Sequence, residues 1–577
     1  MVSTMLLLWG KNDDGQLGST CKSLSRGHLE DESAKVSTPL SPSAPTRMGA
    51  MRPAPGSGRD SRGSTPPRSG NLAMSAAMGS SSTDAFAWTA SPCRALSGLA
   101  VLQVSCGSRH TLATVEGGEA YSWGWGACGQ LGHGDDHSVG CPRVIEALKT
   151  GEGDAALGPV SWVSAGGIHS AAVLECGRVF TWGGSSYGQL GLGPAVTTQG
   201  MQPLPGKVML SETESPLGSP RVSSTGLTRH SSMTQEAAVL AMETAPKTEL
   251  LARIVVCGGM HTAALTAEGV VYCWGRADSG QLGIGAAWVH ETSSGVMGVE
   301  WPRRVRGLLE GRRTESIACG GFHTAAVTTD GECYTWGKED FGMLGCSNEA
   351  LLKGGLFQPH RVTLQDMTDV SHAEQQGNGS GEGKQKAKAV ACGGWHTAVV
   401  GEKGGVWMCG RGEYGRLGLG DQKSQWHLTP IPLERGLIPA PVPPSPRSAA
   451  SAVPASDRPG GAVHGFGGTV DSSAAVVPPS PPPVAKIGGG AAVRTTDPAS
   501  MVALGGSHSL VMTSSGRVFG FGRQDDGRLG VEANTEEVDS GSMLPLEISD
   551  LQLEGWRVQS ISAGGVHSAA ILARRPE

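Results

Sequence analysis

A Gly-Gly-x-His-like tetrad occurs seven times in this chain, with its histidine at His110, His169, His261, His323, His396, His508 and His567. A Trp-Gly-x4-Gly-x-Leu-Gly string also occurs seven times, starting at Trp9, Trp123, Trp182, Trp274, Trp336, Cys409 and Phe521. From each of the first six histidines to the next string is 13 residues, and every string closes on a glycine nine residues after its start. Spacing this regular defines a repeat architecture, in which each unit buries its apolar face only against its neighbours.

The repeat is built from strands. Eight residues after each of the first six histidines stands a glycine: Gly118, Gly177, Gly269, Gly331, Gly404 and Gly516. Each separates two short apolar runs, as Thr324–Val327 and Cys333–Trp336 flank Gly331. That is a hairpin whose turn needs positive φ, which glycine adopts without steric cost. A further strand before the tetrad (Ile254–Val256) and another after the string (Pro359–Val362) make four per unit. Four strands, seven units and 88 glycines in 577 residues predict an all-β, seven-bladed propeller.

The shortest complete unit is 59 residues, and seven such units leave room only for insertions, so residues 1–577 form a single domain. The chain starts on a string and ends on a tetrad followed by one strand, Ser568 to Ala573. The two half-units complement each other, so closure is expected by pairing the N- and C-terminal strands in one composite blade, which removes two open sheet edges. Four low-complexity insertions, 20–98, 211–250, 368–388 and 436–497, are expected between blades, on one face and disordered. They carry the proline-directed candidates Ser41, Thr65, Ser91, Ser215, Ser219, Ser445 and Ser480.

Bulk properties exclude several functions. A net charge of −6 offers no basic footprint, so direct DNA binding is not expected. No apolar run reaches the roughly 18–20 residues of a membrane span. Thirteen cysteines without a CxxC pair indicate neither a zinc ribbon nor a disulfide scaffold. A soluble, intracellular protein of cytoplasm or nucleus, built as a monomeric propeller, is the expectation.

The strings, above all Trp-Gly-x4-Gly-Gln-Leu-Gly at 9–18 and 182–191, resemble the regulator of chromosome condensation repeat family. The resemblance covers all seven units and implies a seven-bladed propeller. The family's founding member is a nucleotide exchange factor for the GTPase Ran that docks on chromatin, a plant branch senses UV-B light through tryptophans, and many members are interaction modules. The light sensors place Trp two residues before the repeat histidine. Here those positions are Ser108, Gly167, Gly259, Gly321, Gly394, Gly506 and Gly565. Trp395 is one residue out of register, Arg109 keeps the family's arginine, and Trp123-Gly124-Trp125-Gly126 is similar to the plant string. Because the sequence opens on a string, the exchange factor's basic N-terminal tail and its chromatin docking are not expected, and the insertions show no obvious counterpart to its projecting wedge.

The candidate chemistry is sparse. Seven histidines in seven blades cannot converge on one metal, so they and Trp9, Trp123, Trp182, Trp274 and Trp336 are read as structural, the histidines bonding local backbone. Cys106, Cys257, Cys319 and Cys392 share one register and are read as packing residues. No cofactor, metal or catalytic residue is expected, and no enzyme. Two and four residues after the string start, five blades carry a basic/acidic pair, from Lys11/Asp13 to Arg523/Asp525. The two uncharged blades carry Trp125 and Tyr187, which with Arg109 and Trp395 form the candidate partner site. The reading is a protein-interaction scaffold or regulator; the alternative is exchange activity on a Ran-like small GTPase, and a UV-B sensor ranks third.

Overall fold

The computed structural model describes residues 3–18, 86–149, 157–211, 247–346, 355–364, 385–433, 497–531 and 541–575. They form seven antiparallel blades around one axis. The first blade spans Val101–Val144, the second Val160–Lys207, the third Ile254–Arg304, the fourth Thr314–Val362, the fifth Ala387–Pro430 and the sixth Ala499–Glu547. The seventh is composite, with Trp556–Ala563 innermost, then His567–Arg574, Thr4–Lys11 and Phe86–Pro92. Closure is as the half-units predict: Thr4 pairs with Ala573 and the register holds without a break to Gly10 opposite His567.

The tetrad joins the innermost strand to the second, the hairpin glycine joins the second to the third, and the string joins the third to the outermost. Tetrads and strings therefore share one face, the string face, while hairpin turns and blade-to-blade connections lie on the other. All six hairpin glycines have positive φ, from +79° at Gly404 to +89° at Gly516. Every blade also breaks register where the third strand meets the outermost, beside the string's first glycine, as between Thr335 and Gly337. That glycine has a φ of +105° to +118° in all seven blades, the backbone of a glycine bulge.

The second strand is buried along its length in the first six blades, as in His323–Thr328, and from His567 to Leu572 in the seventh, because blades stack against both of its faces. The tryptophans at the string starts, Trp9, Trp123, Trp182, Trp274 and Trp336, are fully buried between neighbouring blades. Trp123, for example, packs with Leu17 and Cys93 of the seventh blade and Val104 of the first. Cys106 and Cys257 are buried as expected of packing residues, and burial pushes the Cys106 thiol up to about 12. Eleven described cysteines are free thiols, but Cys141 is disulfide-bonded, which the absence of CxxC spacing did not anticipate.

The insertion boundaries need correction. Residues 86–98 are not loop: Phe86–Pro92 is the outermost strand of the composite blade, and Arg94–Leu96 is a 3-10 turn that buries Leu96. The first insertion thus joins the third strand of one blade to its outermost strand and does not join two blades. Met209–Ser211 and Lys247–Glu249 pair as a two-stranded ribbon at the ends of the second insertion. Ala387 and Lys388 begin the innermost strand Ala387–Cys392. Of the seven phosphosite candidates only Ser91 falls among the described residues, and it is exposed. The third blade also carries a fifth strand, His290–Glu291.

Candidate functional site

The histidines do not bond local backbone. Each Nε2 lies 2.8–2.9 Å from the hydroxyl of the next blade's second strand: His110 to Ser170, His169 to Thr262, His261 to Thr324 and His323 to Thr397. His396 reaches Ser509, His508 reaches Ser568, and His567 reaches Thr111, closing the ring. Each of those hydroxyls donates its one proton to a string carbonyl, as Thr111 to Gln16 and Ser170 to Gln130. The hydroxyl must then accept from the imidazole, so the neutral Nε2–H tautomer is required. Burial holds His110, His261 and His567 down at about 3 and His169 and His323 at about 4. The indoles of Trp9, Trp123, Trp182 and Trp274 donate to the same string carbonyls.

A second ring lies beside the first. The tetrad's second residue donates its N–H to the first glycine's carbonyl in the next blade, at 3.0–3.1 Å. The bond recurs seven times, beginning with Ser108 on Gly166 and ending with Gly565 on Gly107. A Cβ on Gly166 would stand 2.7 Å from the Gly258 oxygen, so the tetrad is glycine because blades touch there through backbone. These residues are the hub; none of them is available for chemistry. Among the described residues no group of three or more His, Cys, Asp or Glu is arranged to hold a metal ion.

What the hub presents to solvent is the string face. In all seven blades the residue two after the string start donates its N–H to the carbonyl of the residue before the histidine, as Lys338 to Phe322 and Arg411 to Trp395. This bond fixes two side-chain positions per blade side by side. All five basic/acidic pairs form ion pairs: Lys11–Asp13 at 2.9 Å, Arg276–Asp278 at 2.5 Å, Lys338–Asp340 at 2.7 Å, Arg411–Glu413 at 2.5 Å and Arg523–Asp525 at 2.5 Å.

The same cations stack on aromatic rings. Arg276 lies 5.2 Å from Tyr187 and 5.3 Å from Phe322; Lys338 lies 5.4 Å from Phe322 and from Trp395. Trp395 contacts Phe322 at 5.2 Å and Phe341 at 6.0 Å, and Phe341 carries Arg411 at 4.8 Å. Tyr414 stacks under Arg523 at 5.0 Å. The result is a ladder of rings and cations from Tyr187 in the second blade to Arg411 in the fifth, with a separate Tyr414–Arg523 stack between the fifth and sixth blades. Each contact of this kind contributes about 0.5–1 kcal/mol at an exposed site.

The predicted candidates all lie on this face but do not form one cluster. Arg109 stacks on Trp125 at 5.0 Å and makes a bidentate pair with Asp14 of the neighbouring blade. Tyr187 belongs with Arg276 of the next blade, so the uncharged sector is not separate from the charged one. Trp395 lies three blades from Tyr187. Phe322, Phe341 and Tyr414 were not singled out from sequence; reading the residue before each histidine and the sixth residue of each string, blade by blade, exposes them.

The loops of the fourth to sixth blades differ from the rest. Where the string carries Gln before Leu-Gly, its Oε1 accepts the N–H two residues back: Asp14 to Gln16, Cys128 to Gln130, Tyr187 to Gln189 and Ser279 to Gln281. The other three blades carry Met343, Arg416 and Arg528, and there the matching residues Phe341, Tyr414 and Asp526 adopt φ of 60°, 61° and 63°. These are the only non-glycine residues with positive φ among those described. Arg416 and Arg528 are almost fully buried; burial lowers the Arg416 guanidinium to about 10 and also pulls Arg528 down. Burial also raises Glu339, between Lys338 and Asp340, to about 7.

A closed seven-bladed ring with Trp-Gly strings and a histidine hub defines a repeat propeller of the regulator of chromosome condensation type. The comparisons agree: the RCC1-like domain model matches residues 68–442 and the regulator of chromosome condensation (RCC1) repeat model matches 515–571, so the chain belongs to this family. It is 29% identical over 475 residues to the ultraviolet-B receptor UVR8 of Arabidopsis thaliana, spanning 81% of this chain and 86% of that protein. It is 34% identical over 256 residues to the human E3 ubiquitin-protein ligase HERC2, spanning 42% of this chain but 5% of that protein. Among solved structures, human WBSCR16 matches with a TM-score of 0.56 at 17% identity, covering 99% of both chains. Prp20p of Saccharomyces cerevisiae matches with a TM-score of 0.57 at 16% identity, covering 100% of this chain and 93% of that one. Among the described residues no helix is long and apolar enough to cross a membrane.

Proposed function

We propose that this chain is a protein-interaction propeller without catalytic chemistry of its own, and that its partner docks on the string face. The observation that carries this reading is the ring–cation ladder from Tyr187 to Arg411. Trp, Tyr and Arg are the side chains that most often dominate binding energy at protein interfaces, and here the ladder holds them in place before any partner arrives. Its charges are already paired with Asp or Glu, so the face is near neutral and suits a folded protein surface better than a polyanion. The test is affinity capture with the wild-type chain and with a Phe341→Ala/Trp395→Ala variant. A partner retained undiminished by the double variant overturns the reading.

Exchange activity toward a Ran-like small GTPase is the second reading. Family membership supports it, together with the fold shared with Prp20p, whose structure was described with its binding properties to Gsp1p and histones. Nucleotide release from a purified Ran-like GTPase, with and without the chain, tests it directly. A UV-B sensor is third: the rings around Trp395 are phenylalanines, Phe322 and Phe341, not further tryptophans. Loss of self-association under UV-B illumination is the outcome that would restore that reading.

A further inference from the structure

The face opposite the strings carries a second surface. The outermost strand of the third blade, Met297–Arg304, ends there, and the chain crosses to the innermost strand of the fourth, Thr314–Cys319. Between residues 303 and 313 stand Arg303, Arg304, Arg306, Arg312 and Arg313, against one acid, Glu310, in a chain whose net charge is −6. The string face pairs every one of its string cations with a carboxylate. Here the pattern reverses. Arg304 and Arg306 make no ion pair among the described residues, Arg313 donates to the Ala267 carbonyl and faces the Glu268 carboxylate without an ion pair, and neighbouring Arg253 donates to the Glu315 carbonyl. Arg312 does have acids, Asp330 at 3.2 Å and Glu332, but Glu332 is shared with Arg361.

The centre of this arc is apolar. The 3-10 turn Gly307–Leu309 has equivalents at Glu146–Leu148 and Ser549–Leu551, and in all three the last leucine is buried and locks the turn. The middle position differs: it is Ala147 and Asp550 in those turns, but Leu308 here, 54% exposed. Leu308 contributes nothing to the buried core of the blade, and Arg304 and Arg306 beside it have no carboxylate of their own.

We propose that the arc from Arg304 to Arg313 docks an acidic peptide segment of a partner protein, with an apolar side chain of that peptide seated on Leu308. Unpaired guanidinium groups bind carboxylates in forked geometry without first breaking an internal ion pair. The exposed leucine supplies the short-range contact that a purely electrostatic patch lacks. This surface is independent of the string face, so either reading can fail without the other.

The test uses the full-length chain and a fluorescein-labelled peptide of alternating Asp and Glu with one central leucine, read by anisotropy at low and at near-physiological salt. Arg304→Ala/Arg306→Ala should weaken binding about tenfold and flatten its salt dependence. Arg304→Lys/Arg306→Lys should retain part of it, and Leu308→Ala should weaken it by a similar factor at both salt concentrations. All three substitutions are on the surface, and an unchanged melting curve confirms the fold in each. Undiminished binding by the double alanine variant overturns the proposal. So does equally tight binding of a DNA duplex of matched charge, which would make the arc a general polyanion site, or an equal loss in Trp395→Ala, which would place the peptide on the string face.

Discussion

The imidazole of His567 lies 2.9 Å from the hydroxyl of Thr111, across a sequence separation of 456 residues. It is the last link of the seven-membered ring, made between the composite blade and the first. Thr111 in turn donates to the Gln16 carbonyl at 2.9 Å, so one hydroxyl joins the C-terminal tetrad, the first blade and the N-terminal string. Thr111→Val keeps the shape but leaves the His567 Nε2–H without its acceptor, while the Gln16 carbonyl keeps only the Trp123 indole N–H as donor. Unfolding in urea should show a loss of about 1–3 kcal/mol, the cost of buried polar groups left unsatisfied. An unchanged midpoint would mean that the ring is not coupled to closure.

The same ring makes stability depend on pH. Unfolded histidine titrates near 6.5, whereas burial depresses His110, His261 and His567 to about 3 and His169 and His323 to about 4 in the fold. Above 6.5 the depressed values have no effect, because both states are neutral. As pH falls below 6.5 the unfolded chain takes up protons that the fold excludes, so stability drops until the folded values are reached. Each such histidine contributes at most about 1.4 kcal/mol per pH unit in that window. Urea midpoints measured from pH 7.5 to 4.5 should fall steeply below 6.5; a flat profile would show that the imidazoles are not buried and neutral.

The ring itself could be read from spacing, because covalent distance along one unit is what periodicity reports. The 13-residue interval from His323 to Trp336 is the length of one hairpin, and the glycine between them marks its turn. What spacing cannot report is which side chains meet across blades. Spacing alone points His323 to local backbone, yet its partner Thr397 lies 74 residues on, and only the curvature of the ring brings them together. The ladder is hidden in the sequence for the same reason: Arg276 reaches Phe322 of the next blade, while the sequence shows it two residues from its own acid, Asp278. Composition also misled at Phe86–Pro92, where low-complexity neighbours hid the strand that completes the composite blade.

Trp9 tests the composite blade without truncating it. Its side chain is fully buried, and its indole N–H donates to the Arg528 carbonyl of the sixth blade at 3.1 Å. It packs with Leu7, Ile548, Val558 and Ala570, and thus joins segments from both ends of the chain. Trp9→Ala should cost about 3–5 kcal/mol, as for other buried aromatic truncations. Deleting residues 1–18 removes the whole third strand of the composite blade and should abolish cooperative melting of the ring. Calorimetry on the two variants checks both; a truncated chain that keeps its melting temperature would falsify closure by strand pairing.

The string's glutamine position offers control over the docking face. Phe341 holds a positive φ of 60°, a conformation costing a non-glycine residue roughly 1 kcal/mol or more. It does so where Met343 cannot supply the side-chain acceptor that Gln281 gives to Ser279. Met343→Gln provides that acceptor, and the backbone at Phe341 should turn to negative φ as in the four glutamine-bearing blades. The Phe341 ring would then leave Arg411, now 4.8 Å away, and Trp395, so Arg411 would drop out of the ladder while Phe322 and Lys338 still hold Trp395. Because relief of strain offsets the lost stacking, thermal stability should change by less than about 1 kcal/mol, whereas binding on the string face should weaken. A crystal structure of the variant checks the backbone, and affinity capture checks the surface. A Phe341 that stays at positive φ in the Met343→Gln variant would show that the loop is set by its ring contacts and not by the missing acceptor.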